Sequence, residues 1–137
     1  MRKALRLNAG RVGLVVAALV SPGQAFAFDL TGAWASDPEL CNKVFEKKGG
    51  AVEFAELSDL YGSGFIVNGN TIRAKAGKCT IRSQRQEGDK TILSASCASS
   101  IMTSELQFNY KVVNDNTLIR DVPDIPDMAL KYSRCPM

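Results

Sequence analysis

The sequence predicts an all-β fold, a small antiparallel meander that closes into an eight-stranded barrel with one short N-terminal helix and two disulfides. The clearest strand lies at 105–112, where apolar and polar residues alternate, as expected for a sheet with one buried face. The apolar side of this strand is formed by Leu106, Phe108, Tyr110 and Val112. Turn signals separate the alternating runs, at 68–69, 87–89 and 114–116. A two-sheet sandwich is the alternative, and closure is favoured because it leaves no exposed strand edge.

The first 27 residues have the composition of a secretory signal peptide. The basic lead of this segment consists of Arg2, Lys3, Arg6 and Arg11. An apolar core of nine residues follows at 12–20, and small residues at Ala25 and Ala27 form a cleavage site. We therefore expect a mature single domain at 28–137 that is periplasmic or secreted. The apolar core is far shorter than the about 20 residues that cross a bilayer, so we expect no membrane span in the mature chain.

Charge and composition narrow the possible function classes. Four of the 17 basic residues and none of the 14 acidic ones lie in the signal segment, so the mature chain has a net charge of −1. This balance gives no support to nucleic-acid binding. The chain contains no histidine, which excludes Ser-His-Asp and Cys-His catalysis and removes the commonest metal ligand. We therefore expect a protein that is not an enzyme, has no cofactor and does not bind nucleic acid.

The mature chain begins with a strand and a short helix. Residues 30–35 form the strand, after which Asp37 is the expected N-cap and Pro38 the first helical position. Apolar residues lie on one face of the helix, and Gly49-Gly50 is expected to end it. We expect this helix to close one end of the domain.

The rest of the mature chain alternates with period two. A final strand at 128–134 begins after Pro123 and Pro126, which interrupt the preceding segment. Because the strands are short, we expect side chains to fill the interior of an eight-stranded barrel. These side chains are Phe65, Phe108, Tyr110, Leu130 and Tyr132.

Four cysteines in an exported chain predict two disulfides. A three-residue hairpin loop at 87–89 would place Cys79 directly opposite Cys97 on neighbouring strands. Cys41 would then pair with Cys135, which closes nearly the whole mature chain. The pairing of Cys41 with Cys79 and of Cys97 with Cys135 remains the alternative. No pair has the Cys-x-x-Cys spacing of a redox or zinc site, so we interpret all four as structural.

Gly32-Ala33-Trp34, a few residues into the mature chain, resembles the Gly-x-Trp signature that opens lipocalin-like barrels. The resemblance implies that Trp34 plugs the closed end of the barrel and that an arginine of the last strand, here Arg134, lies across its ring. In size, export and hairpin layout the chain also resembles small bacterial periplasmic inhibitor barrels directed against proteases or lysozyme. That resemblance implies binding rather than catalysis.

Two function hypotheses follow. The first is a protein-binding, inhibitor-like envelope protein whose contact loops carry Tyr61 and Met102 as anchors. The alternative is a binder or carrier of a small apolar or amphipathic ligand in the mouth of the barrel. The glycine-rich segment around Tyr61 is equally consistent with a simple connection between strands, with no role in binding.

An acidic segment near the C-terminus is a candidate ion site. Asp121, Asp124 and Asp127 could supply carboxylates to Ca²⁺. Their spacing matches no EF-hand loop, and two intervening prolines hold the segment extended. We therefore favour a solvated acidic loop over a metal site.

Overall fold

The computed structural model describes residues 28–122 and 124–137, which contain ten strands and one α-helix. The strands are β1 (Gly32–Ala35), β2 (Phe45–Lys48), β3 (Ala51–Phe54), β4 (Gly64–Asn68), β5 (Thr71–Ala74), β6 (Gly77–Glu87), β7 (Lys90–Ser99), β8 (Thr103–Asn114), β9 (Thr117–Asp121) and β10 (Ala129–Arg134). The helix is α1 (Cys41–Val44). The predicted signal peptide at 1–27 lies outside the described residues.

Eight of the strands form a closed antiparallel barrel in the order β1-β10-β9-β8-β7-β6-β5-β4. Each strand from β4 to β10 pairs with the next in sequence, and β1 closes the ring between β4 and β10. The predicted fold class is therefore confirmed. The sheet closes into a barrel and does not form a two-sheet sandwich. Strands β2 and β3 form a separate two-stranded hairpin.

The protein has two hydrophobic cores, one inside the barrel and one on its outer surface. Alternation along β1 divides that strand between them, because successive side chains point to opposite faces. Trp34 points into the barrel, whereas Ala33 and Ala35 point outward. The outer core is completed by Cys41, Val44, Phe45, Ile66 and Cys135. Strand β1 is consequently buried on both faces.

The helix differs from its prediction in length and in position. A short 3₁₀ helix at Pro38–Leu40 precedes it, and Asp37 caps that turn, since its Oδ1 accepts a hydrogen bond from the Glu39 amide at 2.9 Å. The helix ends at Val44, and Gly49-Gly50 is the turn of the β2–β3 hairpin rather than a helix stop. Phe45 pairs with Phe54 across this hairpin, with the ring centroids 5.4 Å apart. These aromatic contacts outweigh continuation of the helix.

The helix and the hairpin cover the side of the barrel, so the expectation that the helix closes one end is wrong. Val44 and Phe45 pack on Ala33, Ala35 and Ile66 in the outer core. A further connection comes from Arg73 on β5, which donates hydrogen bonds to the Glu53 carboxylate and to the Val52 carbonyl. The hydrogen bond from Arg73 holds the pKa of Glu53 below its ordinary value.

The β6–β7 hairpin has the predicted pairing of Cys79 with Cys97, but its turn length and the regularity of β6 differ from the prediction. Glu87 pairs with Lys90, so the turn has two residues instead of the expected three, and Gly88 adopts φ +61°. A register shift between Ile81 and Ser83 inserts one extra residue into β6. The shorter turn and the bulge cancel each other. Cys79 therefore still lies directly opposite Cys97.

The disulfides are Cys79–Cys97 and Cys41–Cys135, the first of the two pairings considered. The first bridge links neighbouring barrel strands. The second links α1 to the residue after β10, and both of its cysteines are buried in the outer core. It thereby fastens the outer layer to the end of the closing strand.

Removing Cys41–Cys135 should destabilise the protein more than removing Cys79–Cys97. The two bridges span 94 and 18 residues, and the longer loop loses more entropy in the unfolded chain. We expect the paired serine variant C41S/C135S to lose about 1.5 kcal/mol more free energy of unfolding than C79S/C97S. Urea titration of the two variants and the wild type measures this difference. An equal or reversed loss would contradict the chain-entropy explanation.

Candidate functional site

One end of the barrel interior is closed by Trp34. Its side chain is fully buried, and its indole Nε1 donates a hydrogen bond to the Leu30 carbonyl at 2.8 Å. The Phe65 ring stacks on it at a centroid distance of 6.2 Å and an interplanar angle of 14°. Phe28 packs at 6.3 Å from another side. The indole is thus both packed and hydrogen-bonded, as a buried tryptophan requires.

Arg134 covers the outer side of this floor. Its Cζ atom lies 4.3 Å from the Trp34 ring centroid and 5.6 Å from that of Phe28. Its guanidinium donates hydrogen bonds to the carbonyls of Asp29, Thr31 and Asp115, at 2.8 Å and 2.9 Å for the first and last. A single half-buried arginine therefore joins the segment before β1 to the β8–β9 turn. The hydrogen bonds from Thr31 also hold the pKa of Asp29 below its ordinary value.

The contact of Arg134 with the barrel floor explains why the Gly-x-Trp motif begins with a glycine. Gly32 adopts φ +130°, a backbone conformation that residues with a Cβ rarely adopt. A Cβ placed there would lie 3.3 Å from Nη1 of Arg134. Gly32 therefore lets the backbone pass close beneath the guanidinium.

Above the floor the barrel encloses a cavity of about 260 Å³. Its lining is mostly apolar and comprises Leu30, Ser63, Gly64, Phe65, Val67, Ile72, Ala74, Cys79, Leu93, Phe108, Tyr110, Leu118, Arg120 and Tyr132. The expectation that side chains fill the interior is therefore wrong. Tyr110 and Tyr132 are buried as predicted, but Phe65, Phe108 and Leu130 are only half-buried and leave this volume open.

Two buried polar atoms of cavity-lining residues have no hydrogen-bond partner among the described residues. The first is the hydroxyl of Tyr110, a residue only 4% exposed, and the second is Nε of Arg120. Burial raises the pKa of the Tyr110 phenol, and the nearby Thr91 side chain opposes the rise in part. The phenol is therefore protonated at neutral pH and able to donate a hydrogen bond. The Arg120 guanidinium lies over the Phe108 ring, with Cζ 4.8 Å from the centroid.

Arg120 was not predicted as a site residue, although the sequence pattern indicates that its side chain faces the barrel interior. It lies two residues after Leu118 on β9, and residues two apart share a face of a strand. Since Leu118 is a core residue, Arg120 also points inward. A half-buried arginine on the inward face of a strand is a site candidate because charged side chains are rare in an apolar cavity.

The predicted contact residues lie in two different loops. Tyr61 ends a short 3₁₀ helix at Ser58–Tyr61, between β3 and β4, and Met102 lies in the turn between β7 and β8. Met102 is 60% exposed. Two further exposed leucines stand beside Tyr61, namely Leu57 and Leu60, and the latter is 70% exposed. The Lys43 ammonium lies 5.7 Å from the Tyr61 ring centroid.

The acidic segment does not assemble as a metal site. Asp121 forms a salt bridge with Lys90 at 2.6 Å, while Asp124 and Asp127 are exposed. Across 28–122 and 124–137, no group of three potential metal ligands is close enough to hold an ion. The segment folds into turns in which Asp124 and Asp127 have positive φ angles, so the expectation that the prolines hold it extended is wrong.

The chain is a closed eight-stranded antiparallel barrel with a Trp34 floor and an apolar cavity, and in this architecture it resembles lipocalin-like barrels. No protein-family model and no curated protein matches it. Among solved structures, a lipocalin-like protein from Bacteroides thetaiotaomicron VPI-5482 aligns with a TM-score of 0.40 and 17% identity. The alignment covers 79% of this chain and 98% of that one. The fold assignment rests on the strand pairing and floor geometry of this chain itself.

Replacing Arg134 by lysine should destabilise the fold although the charge is kept. A lysine ammonium cannot reach three carbonyls in a fixed planar arrangement while stacking on Trp34. We expect Arg134→Lys to lower the free energy of unfolding by about 1–3 kcal/mol. Arg85→Lys, at an exposed arginine paired with Glu87, is the matched control and should change stability by less than about 0.5 kcal/mol. Equal effects in urea titrations would show that the floor contact adds little.

Proposed function

We propose that this protein is an exported, non-enzymatic binding protein that holds a small, mostly apolar molecule inside its barrel. The observation that carries the proposal is the cavity of about 260 Å³ between the Trp34 floor and the side chains of Tyr110 and Arg120. Protein interiors are normally packed to the density of organic crystals, so a cavity of this size is a feature that requires an explanation. An apolar lining with a few polar groups is typical of ligand sites.

The cavity volume limits the size of the ligand. The cavity has a volume of about 260 Å³ and is partly open to solvent. This is at the small end of ligand sites in proteins. We therefore expect a small molecule whose apolar part lies in the cavity.

Export is supported by the chemistry of the cysteines and by the first residues of the sequence. Both disulfides lie in the described fold, and structural disulfides persist in oxidising compartments. The basic lead, apolar core and small residues of 1–27 match a signal peptide. No helix within the described parts of the chain is long and apolar enough to cross a membrane.

The polar groups of the cavity favour binding over catalysis. A general acid or base works best with a pKa near the operating pH. The pKa of Tyr110 is moved upward, away from neutrality, and an arginine keeps its proton in proteins. The chain also has no histidine to take either role.

The first test is native mass spectrometry of oxidised protein purified from the export compartment. We expect the wild type to carry a small adduct that leaves on denaturation. Ala74→Phe should weaken or abolish it, because Ala74 is an exposed residue at the open side of the cavity, where six added ring carbons would obstruct the space. Ala76→Phe, at an exposed residue of the β5–β6 turn that does not line the cavity, should keep the adduct.

A bare wild-type mass would contradict a tightly held ligand, and an adduct equally present on Ala74→Phe would move the ligand outside the barrel. As a check on folding, both variants should have the melting temperature of the wild type and the mass expected for two disulfides.

A second candidate function, contact with a protein partner, is favoured by the segment before β4. Leu57 has φ +59°, a strained conformation for leucine that persists only where the surroundings hold it. Beside it, Leu60 is 70% exposed and Tyr61 partly exposed, which suits anchors in a partner's pockets. The exposed side chain of Met102 in the β7–β8 turn is a separate anchor.

Inhibition assays against proteases and lysozyme test this second function. Stoichiometric inhibition by the wild type that Leu60→Ser weakens by tenfold or more would support it, since a buried anchor is worth about 2 kcal/mol or more. Ile125→Ser, which removes a 50% exposed side chain from the β9–β10 connection, outside both proposed contact loops, is the control. Identical inhibition by the wild type and Leu60→Ser would exclude this segment as the contact surface.

A further inference from the structure

We infer that the open end of the barrel, the end opposite the Trp34 floor, is the interface of a symmetric dimer in which two copies of this chain meet mouth to mouth. The inference is carried by the distribution of exposed apolar and charged side chains around that end. It does not depend on a ligand in the cavity, so it can fail or stand separately from the proposed function.

The two ends of the barrel carry different side chains. The turns at the floor end, at 69–70, 88–89 and 115–116, consist of glycine, asparagine and aspartate. The open end is formed by the segment 36–63 between β1 and β4 and by the β5–β6, β7–β8 and β9–β10 connections. A single exposed apolar side chain is ordinary, but a collection of them at one end marks an interaction surface. The exposed apolar side chains of the open end include Leu57, Leu60, Tyr61, Ile101, Met102 and Met128.

The strand order places these four connections in two opposite pairs around the mouth. The β5–β6 turn lies four strands from the β9–β10 connection in either direction around the closed ring of eight. The segment between β1 and β4 likewise lies four strands from the β7–β8 turn. The members of each pair therefore face each other across the mouth of the barrel.

The first of these pairs carries opposite charges. Lys75 and Lys78 lie in and beside the β5–β6 turn, and both are exposed. Asp124 and Asp127 lie in the β9–β10 connection and are also exposed. Lys75 approaches Asp59 only at 3.9 Å, with both side chains about half or more exposed, and such surface pairs contribute little. One side of the mouth is therefore basic, and the side across from it is acidic.

The charges of this pair are available to a partner. Lys78, Asp124 and Asp127 form no salt bridge with any residue in 28–122 or 124–137. The nearby Asp121 differs, because Lys90 already neutralises it at 2.6 Å. The uncompensated charges thus lie on opposite sides of the same rim.

The second opposite pair of connections is apolar. Leu60, in the segment between β1 and β4, is 70% exposed. Ile101, in the β7–β8 turn across the mouth, is 88% exposed. Water solvates both side chains unfavourably, and an apolar contact would remove them from it.

A two-fold rotation makes this arrangement self-complementary. In an isologous dimer each patch meets the patch to which the two-fold axis relates it. An axis that runs across the mouth from Leu60 to Ile101 places the basic side of each copy against the acidic side of the other. It also places each of these two apolar side chains against its equivalent in the second copy. A lipid surface would not match opposite charges on two sides of the mouth, whereas a second copy matches both.

The end of the barrel is large enough for a weak specific dimer. Eight strands about 4.8 Å apart and tilted by about 40° form a backbone ring about 16 Å across, which side chains widen to about 26 Å. Two discs of that size bury about 1,000 Å² in total, the lower limit for a specific interface. We therefore expect a reversible dimer rather than a permanent one.

Sedimentation velocity over a concentration series is the first test, made on oxidised protein purified from the export compartment. We expect the wild type to show a monomer–dimer equilibrium with a dissociation constant in the micromolar range, because the interface is small. A wild type that stays monomeric up to about 500 µM would overturn the inference, since even a weak specific dimer forms at that concentration.

Charge reversal tests which face forms the dimer. Lys75→Glu/Lys78→Glu makes both sides of the mouth acidic, and Asp124→Lys/Asp127→Lys makes both sides basic. Each double variant alone should dimerise at least tenfold more weakly than the wild type, because like charges would then meet. An equimolar mixture of the two should form a one-to-one heterodimer, which native mass spectrometry identifies by its mass.

Matched variants away from the mouth are the controls. Arg82→Glu/Arg85→Glu reverses two exposed charges in the half of β6 nearer the floor and should dimerise as the wild type does. Ile101→Ser should weaken the dimer several-fold by removing an apolar contact on the axis. Val113→Ser removes a 51% exposed side chain near the floor end of β8 and should not weaken it.

Two further results would overturn the inference. A dimer that Lys75→Glu/Lys78→Glu forms as tightly as the wild type would place the interface on another face. A mixture of the two folded charge variants that stays monomeric would exclude the proposed pairing of basic with acidic sides. Melting temperatures establish that each variant is folded. If Asp124→Lys/Asp127→Lys fails to fold, the comparison of Lys75→Glu/Lys78→Glu with Arg82→Glu/Arg85→Glu still decides.

Discussion

The structure depends on closure of the barrel at β1, and the stacking of Arg134 on Trp34 holds that closure. Strand β1 has only four residues, yet it must pair with both β4 and β10. Short strands contribute few ladder hydrogen bonds, so side-chain contacts must make up the difference. Arg134 supplies them by covering Trp34 and by donating hydrogen bonds to carbonyls of the segment before β1 and of the β8–β9 turn. Gly32 is required because the guanidinium lies where a Cβ would otherwise point.

The two hydrophobic cores have different structural roles. The outer core packs α1 and the β2–β3 hairpin against the barrel wall, and Cys41–Cys135 crosses it. The inner core is dense near Trp34 and open above it. A cavity forgoes packing contacts that a filled interior would make. A small domain can tolerate that loss when disulfides and a second core add stability elsewhere.

The sequence was sufficient to predict the barrel, because alternation and turn residues act locally. Leu106 to Val112 and the Asn68-Gly69 turn are signals that neighbouring residues cannot override easily. The β2–β3 hairpin was missed because Phe45 to Lys48 lacks alternation, and its strand conformation comes from packing of Phe45 on Phe54. The cavity could not be predicted either, since it depends on how half-buried rings share space. The cysteine register was predicted correctly through a turn one residue too long, because the bulge after Ile81 compensated for it.

The position of β1 also dictates the order in which the chain can assemble. All barrel strands from β4 to β10 meet partners that are adjacent in sequence, so they can form as the chain lengthens. Strand β1 must wait for β10, and the bridge between Cys41 and Cys135 spans 94 residues. Closing so long a loop is entropically expensive and slow. Until the last strand arrives, β1 and β10 remain open edges and the cavity is only a groove. The floor of the cavity is therefore completed in the last step of folding, when Arg134 packs over Trp34.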